Sequence, residues 1–187
     1  AFQGCGSLEA VALPAGLTNI WEGAFQDCTA LTSVAFPDSL TQIAENAFAY
    51  SGLTNIAFPG GLTYIGDSAF SHCTKLTGVE IPDSVTEIGE RAFEYCAGLE
   101  SVTINGNGET EIGDYAFSAC DVLANVKLDG VRMVGTGAFA GCRALTSATR
   151  GADLTYVGTY AFQNCTGLTE MALPDGVTYI GEYAFAY

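Results

Sequence analysis

The pair Ala-Phe recurs at 1–2, 24–25, 47–48, 69–70, 92–93, 116–117, 138–139, 161–162 and 184–185, at spacings of 23, 23, 22, 23, 24, 22, 23 and 23 residues. A period held that tightly restricts the chain to architectures in which each repeat stacks on the next. The full motif reads I-G-[DE]-x-A-F-x-x-C-x-x-L-x-x-V-x-L-P-x-x-V-T-x and then returns to I-G. It runs through residues 1–187 with no linker and no low-complexity tail. One solenoid of about eight repeats is therefore expected to form the only domain.

Each part of the motif has a local reading. The stretch "LTSVAFP" (31–37) alternates β-branched and apolar residues and stops at proline, as a short strand does. All five prolines, Pro14, Pro37, Pro59, Pro82 and Pro174, occupy this position. A second extended piece, "LTYIG" (62–66), turns Leu62 and Ile65 inward and leaves a threonine outside. "DSAFSHC" (67–73) reads as a single helical turn opened by an acid, which complements a helix N-terminus. Glu22, Glu45, Asp67, Glu90, Asp114 and Glu182 hold that acidic position. The expected class is thus an α/β repeat, with short parallel strands and single helical turns. Calcium needs several oxygens converging on one point, so a single file of acids is a solvated edge rather than a cation cage.

Stacking joins the apolar faces of neighbouring repeats into one core. Phe2, Phe25, Phe48, Phe70, Phe93, Phe117, Phe139, Phe162 and Phe185 form an inward spine, and Leu8, Leu31, Leu53, Leu76, Leu99, Leu123, Leu145 and Leu168 form a second file.

Seven cysteines share one register: Cys5, Cys28, Cys73, Cys96, Cys120, Cys142 and Cys165, with Ser51 in the remaining place. Zinc calls for ligands converging from closely spaced pairs, and no C-x-x-C is present. His72 is the only histidine and cannot serve every cysteine as a catalytic base. Disulfides between neighbouring rungs lie within bridging distance, but stacked side chains point in parallel and seven is an odd number. A ladder of free thiols packed as small hydrophobes accounts for both the register and Ser51. No metal and no cofactor is expected.

Net charge is −15, from 21 acidic and six basic residues, which repels nucleic-acid backbones. No apolar run approaches the roughly 20 residues that span a bilayer, so no membrane insertion is expected of this segment.

The elements "L-x-x-V-x-L-P", "V-T-x-I-G" and "A-F-x-x-C", in fixed order at a 23-residue period over all 187 residues, resemble the BspA-like leucine-rich repeat family. The resemblance implies a curved, right-handed solenoid with a parallel sheet, usually part of a larger bacterial or protist surface protein. It implies an extracellular or cell-surface location, adhesion to host-matrix proteins or other cells, and no catalytic residues.

Function on such a scaffold is expected where the motif breaks. Asn105, Asp129 and Gly151 replace the strand-ending proline in three successive repeats. "INGNGETEIG" (104–113) has one extra residue and "LDGVRMVG" (128–135) lacks one. Arg132 interrupts a file of Thr18, Thr41, Thr63, Thr86, Thr110, Thr155 and Thr178, and Arg150 stands where every other repeat has an inward Leu, Ile or Phe. A local bulge is expected at Arg150, because a buried unpaired guanidinium is prohibitive. Within 122–152, Lys127, Arg132, Arg143 and Arg150 face Asp129 alone, a charge of +3 that leaves −18 for the rest. This basic patch is a candidate contact for an acidic partner. Tyr64, Tyr156 and Tyr179, beside the threonine file, form a second candidate surface, since tyrosine supplies interface area at low entropic cost.

The termini complete the reading. "AFQGC" and "GEYAFAY" lie inside the motif, so Phe2, Leu8, Val11 and Leu13 at one end and Val177, Ile180 and Phe185 at the other are expected to face water or another copy. A segment of a longer array and an end-to-end polymer both fit. The expected role is a binding or adhesion module without chemistry, with a self-assembling structural repeat as the alternative.

Overall fold

The computed structural model describes residues 1–187, the side chain of Arg150 excepted. The chain winds about 7 turns of a solenoid with parallel strands. The second extended piece of each repeat supplies most of the ladder. β1 (Asn19–Ile20), β2 (Gln42–Ile43), β3 (Tyr64–Ile65), β5 (Glu87–Ile88), β6 (Ser101–Ile112), β7 (Asn125–Val134), β9 (Tyr156–Val157) and β10 (Tyr179–Ile180) pair in that order, all parallel. Ile20, Ile43, Ile65, Ile88, Ile112, Val134, Val157 and Ile180 lie in unbroken register along it. Each of these β-branched residues sits inward on the core, save the half-exposed Ile180 at the end.

The first extended piece forms regular strand only in part. β4 (Gly78–Ile81) pairs with the start of β6, and β8 (Ser147–Arg150) with the start of β7. Proline ends such a strand because it offers no N–H to the ladder. Where Asn105 and Asp129 stand instead, the strand continues through the corner, and β6 and β7 reach 12 and 10 residues. The unequal lengths of the two repeats are absorbed here, in a register shift between Asn105↔Asp129, Thr110↔Val131 and Glu111↔Met133. Gly106 and Gly130 make the approach possible. A Cβ on Gly130, which has φ +64°, would lie 2.0 Å from the Gly106 carbonyl oxygen.

Two expectations are corrected in this region. The bulge lies between β6 and β7 and not at Arg150, whose backbone pairs in regular register with Leu128. The Arg150 side chain lies outside the described residues. Thr110 is not an outward member of its file. The shift carries it fully into the core, where its hydroxyl donates to the Val85 carbonyl at 2.7 Å.

The expected helical turn is also replaced. No helix occurs among the described residues. In residues 44–51, Ala47, Ala49 and Ser51 donate N–H bonds to the carbonyls of Ala44, Asn46 and Phe48, three overlapping β-turns. The amides between them, on Asn46, Phe48 and Tyr50, point out of the rung to the carbonyls of Asp67, Ala69 and Ser71. A helix would direct every amide back along its own chain and leave nothing for the next rung. The price is two left-handed residues per rung, Asn46 (φ 55°) and Tyr50 (φ 59°) here, a conformation that costs a non-glycine residue about 1 kcal/mol. The acid that opens the segment caps no helix. Asp67 and Asp114 instead accept the N–H of Glu90 and Thr136 in the following rung, at 2.8 and 2.7 Å.

The core is the stack these turns enclose. From Phe2 to Phe185, successive phenylalanine rings lie 5.1–5.4 Å apart and within 12° of parallel. The rings from Phe25 to Phe162 are buried, while Phe2 and Phe185 are 41% and 36% exposed.

Candidate functional surfaces

Six thiols are buried beneath the turns. Cys28, Cys73, Cys96, Cys120, Cys142 and Cys165 are buried, Cys5 is exposed, and all seven are free. Each buried thiol donates to the carbonyl of a phenylalanine in an earlier rung, as Cys73 does to Phe48 and Cys96 to Phe70, both at 3.2 Å. In five of the six cases that carbonyl already accepts an amide from its own rung, as Ser51 N–H for Phe48 and Cys73 N–H for Phe70. The thiol therefore fills the second lone pair of a buried oxygen, which alanine could not do. Ser51 keeps the network by placing its hydroxyl 3.2 Å from the Cys73 sulfur. Burial pushes the Cys73 thiol up to about 11 and Cys165 up to about 12. Cys142 is raised first by the hydrogen bond with Cys120 and then by burial. Such thiols are protonated and shielded at neutral pH, the reverse of what a nucleophile or metal ligand requires. No group of His, Cys, Asp and Glu among the described residues could hold a metal ion.

The basic residues do not converge. Lys127 lies in the first half of β7 and pairs with Asp129 at 2.8 Å. Arg132 lies past the corner in the second half, paired with Glu111 and, at 3.8 Å, with Glu109. Its carbonyl still accepts the Thr155 amide at 2.9 Å, so the interruption of the threonine file is confined to the side chain. Arg143 sits on the turn after Cys142, exposed and in no ion pair among the described residues. Two of the three described cations are thus answered locally, and the site they form is spread over separate faces.

The tyrosines are divided as well. Tyr64 stands in register with Gln42 and Glu87, while Tyr156 stands between Met133 and Tyr179. Three positions, Glu87, Glu111 and Met133, separate Tyr64 from Tyr156. Burial, followed by the carboxylates of Asp67, Glu87 and Glu45, raises the Tyr64 phenol. Tyr156 and Tyr179 stack at 4.5 Å and 6°, and beside them Tyr160 and Tyr183 stack at 5.5 Å and 9°.

One aromatic surface was not singled out from the sequence. Tyr50, His72 and Tyr95 occupy the same register just before the cysteine position, and their rings form an outer ladder. Tyr50 lies 4.4 Å from His72 at 9°, and His72 lies 4.8 Å from Tyr95 at 17°. The signal was the shared register position in three successive repeats, read only as the x before Cys.

At the ends, Leu8, Val11, Leu13 and Val177 are half-buried against the core, less open than expected, whereas Ile180 is 51% exposed. A cleft of about 380 Å³ lies at the N-terminal end, lined by Phe2, Val11, Leu13, Leu17, Trp21 and Phe25 among others.

A family model described as "BspA type Leucine rich repeat region (6 copies)" matches residues 1–121 and 107–187. The chain belongs to the BspA-type leucine-rich repeat family. Among solved structures, it resembles a leucine-rich repeat protein of T. pallidum at 31% identity and a TM-score of 0.78, over 94% of this chain and 86% of that one. It resembles a leucine-rich cell surface protein of Faecalibacterium prausnitzii at 30% identity and a TM-score of 0.55, over 99% of this chain and 59% of that one. A leucine-rich repeat protein of Eubacterium ventriosum, 22% identical with a TM-score of 0.78, shares the fold over 96% of this chain and 59% of its own. The chain thus spans less than two thirds of the last two relatives. The comparison with curated proteins returns no match. No helix among the described residues is long and apolar enough to cross a membrane.

Proposed function

We propose that this chain is a non-enzymatic, protein-binding segment of a cell-surface or secreted repeat protein, presenting an adhesive surface to a host-matrix protein or to a protein on another cell. The observation that carries the reading is the contrast between an invariant spine and a varied surface. The phenylalanine stack is the same from rung to rung, while residues 101–151 change strand length, charge and corner geometry around it. The only histidine is sandwiched between tyrosines and the buried thiols are held protonated, which supports a role without chemistry. The F. prausnitzii relative is described as a cell surface protein, which supports the location. The test is binding of the purified chain to immobilised extracellular-matrix proteins in a surface-resonance assay. Saturable capture by at least one of them is expected, and failure with every one overturns the adhesive reading.

A second reading, end-to-end assembly, is favoured by the apolar cleft at one end and the exposed Ile180 and Phe185 at the other. Faces of this kind that do not close into a ring stack copies into open filaments. Concentration-dependent association of the isolated chain, abolished by Val11→Glu or Ile180→Glu, is the expected result in sedimentation. A strict monomer at high concentration overturns it.

A further inference from the structure

Tyr50, His72 and Tyr95 stand on the outside of the turns, Tyr50 and Tyr95 about half exposed, and the core does not need them. The same position holds Gly4, Asp27, Ala119, Gly141 and Asn164 in other rungs, each with the same left-handed φ. Glycine, asparagine and aspartate tolerate that conformation best, and a bulky ring tolerates it least. Two of these three consecutive rungs, at Tyr50 and Tyr95, therefore place a large ring where the backbone disfavours it, with a histidine, which adopts this conformation more readily, between them. Residues held against such a preference point to a task for the side chain.

The ladder is open at both ends. Each of Tyr50 and Tyr95 has a single ring neighbour, His72, among the described residues. The rung beyond Tyr50 offers Asp27, an exposed carboxylate. The rungs beyond Tyr95 offer Ala119 and Gly141, and even a Cβ on Gly141 would come no closer than 3.8 Å to its neighbours. Next to Tyr95 in sequence is Glu94, half-buried, its carboxyl raised by that burial. Asp121, exposed, lies just past Ala119, with Arg143 in the corresponding place one rung on. A flat group that fits these two faces must stack on a tyrosine and bring positive charge to carboxylates. The guanidinium group does both as a flat plane; an ammonium is attracted to a ring face and to carboxylates but cannot stack, so it is the weaker fit. The protein already makes this contact internally: the Arg91 guanidinium lies 5.2 Å from the centre of the Tyr115 ring and is paired with Glu90 and Glu94.

We propose that the Tyr50–His72–Tyr95 ladder is a docking surface for an arginine-bearing segment of a protein partner, with a guanidinium stacking on the uncovered face of Tyr50 beside Asp27 or of Tyr95 above Ala119. The proposal rests on the protein-binding reading and names a surface and partner chemistry for it. It also differs in sign from the basic residues of the central rungs, which call for an acidic partner.

The backbone supplies an unusually clean variant. Tyr50→Gly with Tyr95→Gly places at both positions the residue already found at Gly4 and Gly141, so the double variant keeps or gains stability. The probes are an arginine-rich peptide, a lysine-rich peptide of equal length and a neutral one, each titrated into the full chain. Binding is followed in NMR by the tyrosine ring signals of the parent and by the His72 ring and backbone amide signals of parent and variant alike. The arginine peptide is expected to shift Tyr50 and Tyr95, to bind several-fold more tightly than the lysine peptide, and to lose at least about five-fold in affinity with the double variant. Equal binding of the arginine and lysine peptides would mean attraction to the net charge alone and overturns the proposal. So does unchanged affinity in the folded double variant, or no binding at all. Matrix binding is scored separately. A double variant that still captures a matrix protein as well as the parent chain removes the ladder and leaves adhesion standing. Loss of the arginine contact in that variant, with no matrix protein captured by the parent, does the opposite.

Discussion

The rungs that carry the strand-ending proline and the rungs that lack it enclose the same core with different backbones. In the first kind, the two extended pieces are separate and β2, β3 and β5 are two residues long. In two rungs of the second kind, the pieces fuse into β6 and β7, and the β6–β7 contact is the most extensive in the molecule; the third, with Gly151, keeps β8 and β9 separate. Yet Phe93 and Phe117 stack at 5.1 Å and 1°, no differently from Phe48 and Phe70 at 5.3 Å and 5°. The turn segment with its thiol is the invariant part of the rung, and the corner opposite is where the sequence is free to change. A solenoid of nearest-neighbour contacts permits this, because a change in one corner need only be matched by the rung beside it.

The largest expected effect breaks the comparison at its common part. Phe48→Ala and Phe117→Ala each remove a fully buried ring with a ring on either side, and each is expected to cost about 3–5 kcal/mol. The two costs should agree within about 1 kcal/mol if the core is indifferent to the corner. Chemical denaturation measures both, and hydrogen exchange should place the loosening in adjacent rungs. A much larger cost at Phe117 would show that the fused strands and the spine fold as one unit.

The next test addresses the corner itself. Gly130→Ala meets both a left-handed backbone and the carbonyl of Gly106, so a loss of more than about 2 kcal/mol is expected. Gly60→Ala, at the proline corner of a regular rung, has no atom within 4 Å and no unusual φ, so its effect should be near zero or slightly stabilising. Equal effects from the two substitutions would erase the distinction between the corners.

How much of this was legible in the sequence follows from what a period can and cannot encode. The spacing of Phe, Leu and Cys fixes which residues face inward, because stacking leaves no other way to bury them. That one strand stops before Pro82 and another continues through Asp129 follows from the missing N–H of proline. The turn was misread because "DSAFSHC" has the acid and the apolar spacing of a helix start. What decides against a helix is the amide count: Phe70 N–H is needed by Ala92 of the next rung, at 2.7 Å, and a single repeat cannot show that demand. Thr110 was misplaced for a related reason, since a one-residue insertion reverses the facing of every residue up to the compensating shift. The dispersal of Lys127, Arg132 and Arg143 could not be read at all, because proximity in a short window says nothing about which side of a corner a side chain occupies.

A third prediction probes the invariant turn by chemistry. With a thiol reagent at neutral pH, the folded chain should label quickly at Cys5 and slowly at the six buried positions, and the denatured chain should yield all seven. Cys73 and Cys165 are raised from 9.0 to about 11 and about 12, so the folded state holds protons that the unfolded chain releases first. Their contribution is fully present below pH 9, declines as pH rises above it, and is lost through the folded values, so stability should fall in alkali. Fast labelling of Cys96 or Cys142 in the native state would mean that the turns open far more readily than the packing indicates.

The smallest effect on folding is expected from the charges that most clearly distinguish the central rungs. Lys127, Arg132 and Arg143 have side chains on the surface, and the pairs with Asp129, Glu109 and Glu111 are substantially exposed. Exposed ion pairs contribute about 0–1 kcal/mol, since solvent screens them and two side chains must be ordered. Changing all three to glutamine should therefore leave the denaturation midpoint nearly unmoved. The same change takes three positive charges from the one region of net positive sign, and binding responds to that sign at longer range than stability does. If an acidic partner docks on these rungs, the triple variant should bind it several-fold more weakly, with a flatter dependence on salt. A cationic partner held by the tyrosine ladder should instead bind the triple variant equally well or slightly better, because Arg143 no longer opposes it. Titrating one acidic and one basic partner against both variants therefore separates the two surfaces. An acidic partner that ignores the glutamines would leave the variation of the central rungs without a binding role.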